Sequence, residues 1–382
     1  MDAIKKKASD IHFDPTLDAL MVRIRIDGEL QDYTKIPNIL KKNVITRIKI
    51  ISGMNITETR LPQDGAIKNA IKDMTLDLRV SSLPVIDGEK VVIRILDYSM
   101  SLNGLENLGF SPVNLNRLEK MIKNPNGLIL VTGATGTGKS TTVYALLQKL
   151  NTKGRNIITV EDPVEMRILN INQVQVLSDI GLTFSHTLRS ILRQDPDIIM
   201  IGEIRDNETA KIAVRASITG HLVLSTVHTN NSLTTIERLL DMEVERYLLG
   251  SALTGIVSQK LVKKLCPKCR GTRPTTAYEK KLMKKHLGVT VNEVYVPVGC
   301  KECNHGYLGR IAIHEVLSIN EAIREAITSN INRKDLKELV YNSKEDITTM
   351  FEDGLAKVVE GLTSMEEILK TVDIASDDEL EV

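Results

Sequence analysis

The chain has 382 residues, 42% of them hydrophobic and 26% charged, and its 50 Lys and Arg almost cancel its 49 Asp and Glu. That is an ordinary globular composition with enough length for two or three domains, and 23 Gly and 11 Pro are too few for a fibrous or disordered chain. Near-neutral charge supplies no field to gather duplex DNA, and 3% aromatics without Trp leave few platforms on which single-stranded bases could stack.

No apolar run approaches the length of a membrane span, and Met1-Asp2-Ala3-Ile4-Lys5-Lys6-Lys7 lacks the apolar stretch of a signal peptide. A cytoplasmic protein is expected, held at a membrane by a partner. Residues 1–97 alternate as strands do: Leu20-Met21-Val22-Arg23-Ile24-Arg25-Ile26 runs into Asp27-Gly28, a turn dipeptide that closes a hairpin, and Val91–Ile95 is a second such run. Ile39–Ile51 has helical spacing with basic residues on its outer positions, so a small α+β domain is predicted here. Residues 98–108, rich in Ser, Asn and Gly, read as a linker.

From Leu128 the pattern changes to short, wholly apolar strands: Leu128–Val131, Ile157–Val160, Ile198–Ile201 and Leu222–Leu224. Runs of this kind indicate a parallel sheet covered on both faces, and residues 109–382 are predicted to form one α/β domain around it. Within that domain a cysteine-bearing insert spans 262–307, and a helical part spans 315–372, with helical periodicity over 319–329, 333–342 and 348–362. The acidic tail (Asp377, Asp378, Glu379, Glu381) is expected to be solvated.

Gly133-Ala134-Thr135-Gly136-Thr137-Gly138-Lys139-Ser140 matches G-x-x-x-x-G-K-[ST] between an apolar strand and a helix-compatible stretch that starts at Thr141, the context this phosphate-binding loop requires. Its glycines let backbone amides curl round a β-phosphate while the helix start adds its dipole. Lys139 can reach the β- and γ-phosphates, and the Ser140 hydroxyl can ligate Mg²⁺. Ile198–Ile201 followed by Gly202-Glu203 is an apolar strand ending in an acid, the Walker B arrangement, where a carboxylate holds magnesium's water shell or polarises the attacking water. Two more polar clusters, Thr159–Glu165 and Ser225–Asn230, follow apolar strands and so fall at the carboxyl edge where open α/β sheets bind ligands.

In that order, the loop, the acidic box Glu161-Asp162-Pro163-Val164-Glu165, the segment Gly202-Glu203-Ile204-Arg205-Asp206 and the histidines His221 and His228 make the sequence resemble the type II secretion and type IV pilus assembly ATPases over nearly its whole length. The resemblance implies a RecA-like P-loop motor domain with a parallel-rich sheet, plus a small α+β, PAS-like second amino-terminal domain. It implies ATP and Mg²⁺ as cofactors, Glu165 or Glu203 as the residue that activates water, and His228 beside them. It also implies that Arg79 and Arg94 of the first domain, with Arg189 and Arg193, reach nucleotide phosphates. The first domain resembles its counterpart through Ser9-Asp10-Ile11-His12, Arg60–Gly65, Leu78-Arg79-Val80-Ser81 and Ile93-Arg94. A guanidinium would stabilise the charge that spreads over the equatorial oxygens in phosphoryl transfer. Long family members begin with a further domain that docks to the membrane platform; this chain starts almost at Ser9, as a trimmed chain or a naturally short member would.

All four cysteines lie in two C-x-x-C pairs, Cys266/Cys269 and Cys300/Cys303, a pattern that in the cytoplasm reads as one tetrahedral thiolate site for structural Zn²⁺. Iron–sulfur and redox readings are the alternatives, and His305 is read as a bystander. By the resemblance, retraction ATPases lack this insert, which favours assembly over retraction. Lys260, Lys263, Lys264, Lys268, Arg270, Arg273, Lys280, Lys281, Lys284 and Lys285 are set against Glu279 alone in their window, a basic face for anionic lipid or a platform protein at about 1 kcal/mol per residue.

The implied machine is a homo-hexameric ring at the inner face of the cell membrane, binding ATP between its two domains and driving a platform that adds pilin subunits. Two rival readings are a nucleic-acid translocase or helicase built on the same RecA-like core, and a nucleotide switch that barely hydrolyses ATP.

Overall fold

The computed structural model describes residues 2–67, 76–97, 104–329, 331–342 and 347–372, and the chain forms two compact units, residues 1–99 and 100–382. The acidic tail and residues 98–103 of the expected linker lie outside the described residues. The end of that linker belongs to the second unit's core: Leu105 and Leu108 are buried among its apolar residues.

In the first unit, strands β1 (Asp10–Pro15), β2 (Ala19–Ile26), β3 (Glu29–Pro37), β4 (Gln63–Ile67), β5 (Leu76–Val85) and β6 (Gly88–Asp97) form an antiparallel sheet in the order β3-β2-β1-β6-β5-β4. Asp27 and Gly28 both take positive φ (50° and 90°), the two-residue turn whose twist matches that of the flanking strands. Alternate residues Leu20, Val22 and Ile24 point inward, and the helix Asn38–Ile51 packs Ile45 and Ile48 against Leu20, Val80, Val91 and Ile93. One expectation fails on that helix. Lys49 is not outward but 1% exposed, its Nζ donating to Glu89 Oε1 and to the Glu58 carbonyl, each at 2.7 Å.

The second unit is built on an eight-stranded sheet. Its strands are β7 (Gly127–Thr132), β8 (Ile157–Glu161), β9 (Asn172–Gln175), β10 (Ile198–Ile201), β11 (Leu222–Val227), β12 (Leu253–Leu265), β15 (Tyr307–Ser318) and β16 (Ile347–Thr348), in the order β16-β15-β12-β7-β11-β10-β8-β9. The six from β12 to β9 run parallel, while β15 and β16 are antiparallel to their neighbours. Every residue of β7, β8, β10 and β11 is buried, because helices cover both faces. Ile129 and Val131 pack on one face with Val143, Leu146 and Leu147 of the helix Lys139–Leu150. Leu128 and Leu130 pack on the other with the helices Asn207–Ile218 and Ser232–Asp241.

Strands β13 (Gly271–Pro274) and β14 (Glu293–Val296) form a separate hairpin sheet in the cysteine insert, joined by the helix Ala277–Leu287. Residues 315–318, expected in the helical part, continue β15. The expected helix over 348–362 begins later, at Met350: Thr349 and Glu352 close a capping box that stops it upstream, and Ile347 and Thr348 pair with β15 instead.

Candidate active site

The segment leaving β7 has three glycines at positive φ: Gly133 (152°), Gly136 (80°) and Gly138 (90°). Glycine is required at the first for space as well as torsion, since a Cβ there would stand 2.5 Å from Thr137 Oγ1 and 2.6 Å from the Gln259 carbonyl oxygen. The helix Lys139–Leu150 starts from Gly138 with no side-chain cap, so its first-turn amides keep their donor capacity toward the loop. Lys139 is buried, and its Nζ reaches back to donate to the carbonyls of Gly133 (2.8 Å) and Ala134 (3.0 Å). Burial pushes its pKa down, and the charge of Glu203 opposes that shift. Thr135, Gly136 and Ser140 are exposed, Thr141 is half-buried, and Thr137 is held inside by its own bond to the Ala134 carbonyl at 2.9 Å. Uncapped amides, one ammonium and a free-standing hydroxyl form a donor set suited to a di- or triphosphate.

Parallel register brings further groups to the same edge: Thr132 lies beside Val227, and Ile201 beside both Ser225 and Val160. Lys139, Glu203, His228 and the acidic box therefore follow four neighbouring strands at one level. Glu203 Oε2 is buried in ion-pair contact with Arg205 and lies 3.5 Å from His228 Nε2. A buried carboxylate in charge contact with Lys139, whose neighbour Ser140 carries an exposed hydroxyl, supplies hard oxygens of the kind Mg²⁺ takes together with water and phosphate. The pKa of His228 is lowered, first by desolvation and then by the Lys139 charge, with Glu203 opposing, so its imidazole is neutral near pH 7.

The acidic box divides. Glu161 is spent inside the protein, accepting hydrogen bonds from the Tyr144 hydroxyl, from Thr159 Oγ1 and from Gln173 Nε2 (3.1 Å). Glu165 stands four residues on, in irregular backbone whose amide donates to Tyr144 Oη at 3.1 Å. The two histidines divide as well. His221 precedes β11 and its Nδ1 bonds the Ala216 carbonyl at 2.9 Å, so the whole strand separates it from His228. Arg189 is paired with Glu208 at 2.6 Å, and Arg193 donates to the Arg189 carbonyl and to Ser190. In the first unit Arg79 and Arg94 are direct cross-strand partners on β5 and β6, and Arg94 Nε donates to Asp10 Oδ1 at 3.0 Å.

Sequence reasoning missed Gln259. It is 1% exposed in β12, its Nε2 donates to the Thr137 carbonyl at 2.7 Å, and its Oε1 accepts from Thr142 Oγ1 at 2.9 Å. One side chain thus braces the crown of the loop and the first turn of the following helix. The available signal was a pair of polar residues, Ser258-Gln259, directly after the apolar run Ile256-Val257 of the strand.

The four cysteine Sγ atoms lie within 4.8 Å of one another, at 3.6 Å for Cys269–Cys303 and Cys300–Cys303 and 4.0 Å for Cys266–Cys300. Disulfides need about 2.05 Å. Four thiolates at about 2.3 Å from a tetrahedral Zn²⁺ would be about 3.8 Å apart, and the observed spacings fit that arrangement. The basic window around the cluster is partly committed to internal partners. Lys260 donates to the Thr371 carbonyl, Arg270 lies over the Tyr295 ring, Arg273 pairs with Glu279 and Lys268 with Glu302, while Lys264, Lys281 and Lys284 are exposed.

Comparison with known proteins places this arrangement in context. The family model described as Type II/IV secretion system protein matches residues 1–370. Type II secretion system protein E of Aeromonas hydrophila is 46% identical over 97% of this chain and 73% of its own length. The type IV pilus assembly ATPase PilB of Thermus thermophilus is 43% identical over 96% of this chain and 41% of its own length. Among solved structures, the pilus retraction motor PilT with bound ADP superposes with a TM-score of 0.68 at 26% identity, covering 98% of this chain and 96% of that one.

Proposed function

Since the chain belongs to the type II/IV secretion system protein family and is an ATPase, we propose that it turns ATP hydrolysis into assembly of a type II secretion pseudopilus or a type IV pilus. The observation that supports this best is the buried Glu203 carboxylate, set between Arg205 and His228 and in charge contact with Lys139 of the loop. The loop amides and Lys139 grip the phosphates, while Ser140 and Glu203 would hold magnesium, which supplies charge neutralisation when bound. Glu165 or Glu203 orients the attacking water, and neutral His228 adjusts the field at Glu203. Arg79, Arg94, Arg189 and Arg193 are proposed as the guanidiniums that meet developing phosphate charge.

The working form proposed is a homo-hexamer at the cytoplasmic face of the inner membrane, acting on a platform protein. Among the described residues no helix is long and apolar enough to cross a membrane, so attachment would come through partners or through exposed Lys264, Lys281 and Lys284 on anionic lipid. The cysteine cluster is proposed to bind zinc as a structural ion and favours assembly over retraction.

The test is ATP binding and turnover by the purified chain with magnesium. Lys139→Ala should lose binding, and Glu203→Gln should keep binding while turnover falls by about 100-fold or more. Unchanged binding in the first and unchanged turnover in the second would overturn the proposal.

A further inference from the structure

Tyr144 is 2% exposed, five residues after Lys139 on the same helix, and its hydroxyl meets three polar groups. They are the Glu161 carboxylate, the amide of Glu165 at 3.1 Å and the amide of Met166 at 3.3 Å. Only one assignment satisfies all three. An amide N–H cannot accept and the hydroxyl has only two lone pairs, so it takes both amides on them and gives its one proton to Glu161. Burial and the neighbouring carboxylate push the tyrosine pKa far up, which keeps that proton in place across the working pH range.

The segment being held is irregular, so its position comes from side chains rather than from a ladder. Gln173 secures its far end, donating to the Met166 carbonyl (2.9 Å) and to Glu161 (3.1 Å) while accepting from the Ile168 amide (2.8 Å). Glu165 thus stands on a short stretch of backbone pinned to the helix that starts at the phosphate loop.

We propose that Tyr144 is a positioning residue for hydrolysis: it ties the backbone of Glu165 to the helix that begins at Lys139, so that the grip on phosphate and the placement of the carboxylate move as one body. This rests on the reading that the Lys139 loop binds ATP and that Glu165 serves the attacking water. A tyrosine that only filled the core would need its ring but not its oxygen.

Tyr144→Phe removes that oxygen alone. ATP binding by equilibrium dialysis, steady-state turnover and thermal unfolding are measured for this variant, for Glu165→Gln and for the double variant. Tyr144→Phe should bind ATP within about threefold of the parent while kcat falls about tenfold or more, and the double variant should be no more than about threefold slower than Glu165→Gln alone. Losses that multiply in the double variant would overturn the proposal, as would a Tyr144→Phe protein with full turnover beside an impaired Glu165→Gln. Full turnover in Glu165→Gln itself would instead remove the underlying assignment of Glu165, and the proposal with it. If Tyr144→Phe melts early because buried Glu161 has lost one of its three donors, adding Glu161→Gln puts a neutral amide in its place; the pair should then fold yet stay slow, and recovery of turnover together with folding refutes a positioning role.

Discussion

Replacing Gln259 by leucine tests whether the shape of the phosphate loop is imposed from the neighbouring strand. The side chain is 1% exposed and occupied at both ends, by the Thr137 carbonyl at 2.7 Å and the Thr142 hydroxyl at 2.9 Å. Leucine is close in volume, so cavity formation contributes little and the cost is two polar groups left without partners. Both are buried, Thr137 at 9% and Thr142 at 2% exposure. At about 1–3 kcal/mol for each stranded group, less whatever the Thr142 hydroxyl recovers by rotating, the expected loss is about 2–5 kcal/mol. If roughly half of that is preorganisation of the loop, ATP affinity falls about 5- to 70-fold. Gln259→Glu sharpens the test, because it keeps an acceptor for Thr142 but sets a carboxylate oxygen against the Thr137 carbonyl; it should bind ATP more weakly than the leucine variant. The assay is equilibrium dialysis with ATP and magnesium alongside thermal unfolding. Both variants binding within about twofold of the parent, with unshifted melting, would refute the claim that β12 shapes the loop.

Lys49→Met should destabilise the first unit by about 3–5 kcal/mol, since it strands Glu89 without its cation; adding Glu89→Leu should restore most of that, read by denaturant unfolding and by hydrogen exchange in β5 and β6. Metal chelation, or Cys300→Ser, should strip exchange protection from residues 266–306 while the strands β7, β8, β10 and β11 keep theirs, as expected of a closed structural site whose binding energy folds its own insert. Glu279 is held at a pKa of about 2 instead of the ordinary 4.5, chiefly by hydrogen bonds from Arg273 and helped by the Thr276 amide. Because the folded-state pKa is the lower one, the stabilisation is present above about pH 4.5 and is lost as pH falls toward 2. Glu279→Gln should therefore weaken the insert at pH 7, and the difference from the parent should shrink through pH 4 to 3 in urea titrations.

What the sequence reveals and what it hides follow from a single physical distinction. Apolar periodicity reports burial, and where burial is apolar it reports correctly: Ile198–Ile201 is a strand because helices cover both of its faces, and Asp27-Gly28 is a turn because its backbone needs positive φ. A buried polar residue looks the same as a surface one until its partner is known, and the partners are remote. Lys49 finds Glu89 forty residues away, Thr142 finds Gln259 at a separation of 117, and Tyr144 finds Glu161 across two elements. The basic count around the cysteines overstated a charged face for the same reason, because Lys260 and Arg270 are tied to carbonyls of the chain's last helices and their turn. Yet these hidden residues are not scattered. Thr132, Glu161, Ser225 and Thr226 are all buried and stand in the second half of their strands, and buried Ser258, next to Gln259, pairs with Thr132, so they all lie toward the edge that bears Lys139, Glu203 and His228. The first halves, Gly127-Leu128-Ile129 and Leu222-Val223 among them, are apolar. A polarity gradient along parallel strands is what a sheet needs if one edge must hold loops in fixed, hydrogen-bonded shapes while the remainder only packs. The direction of that gradient can be read from the sequence before any partner is assigned.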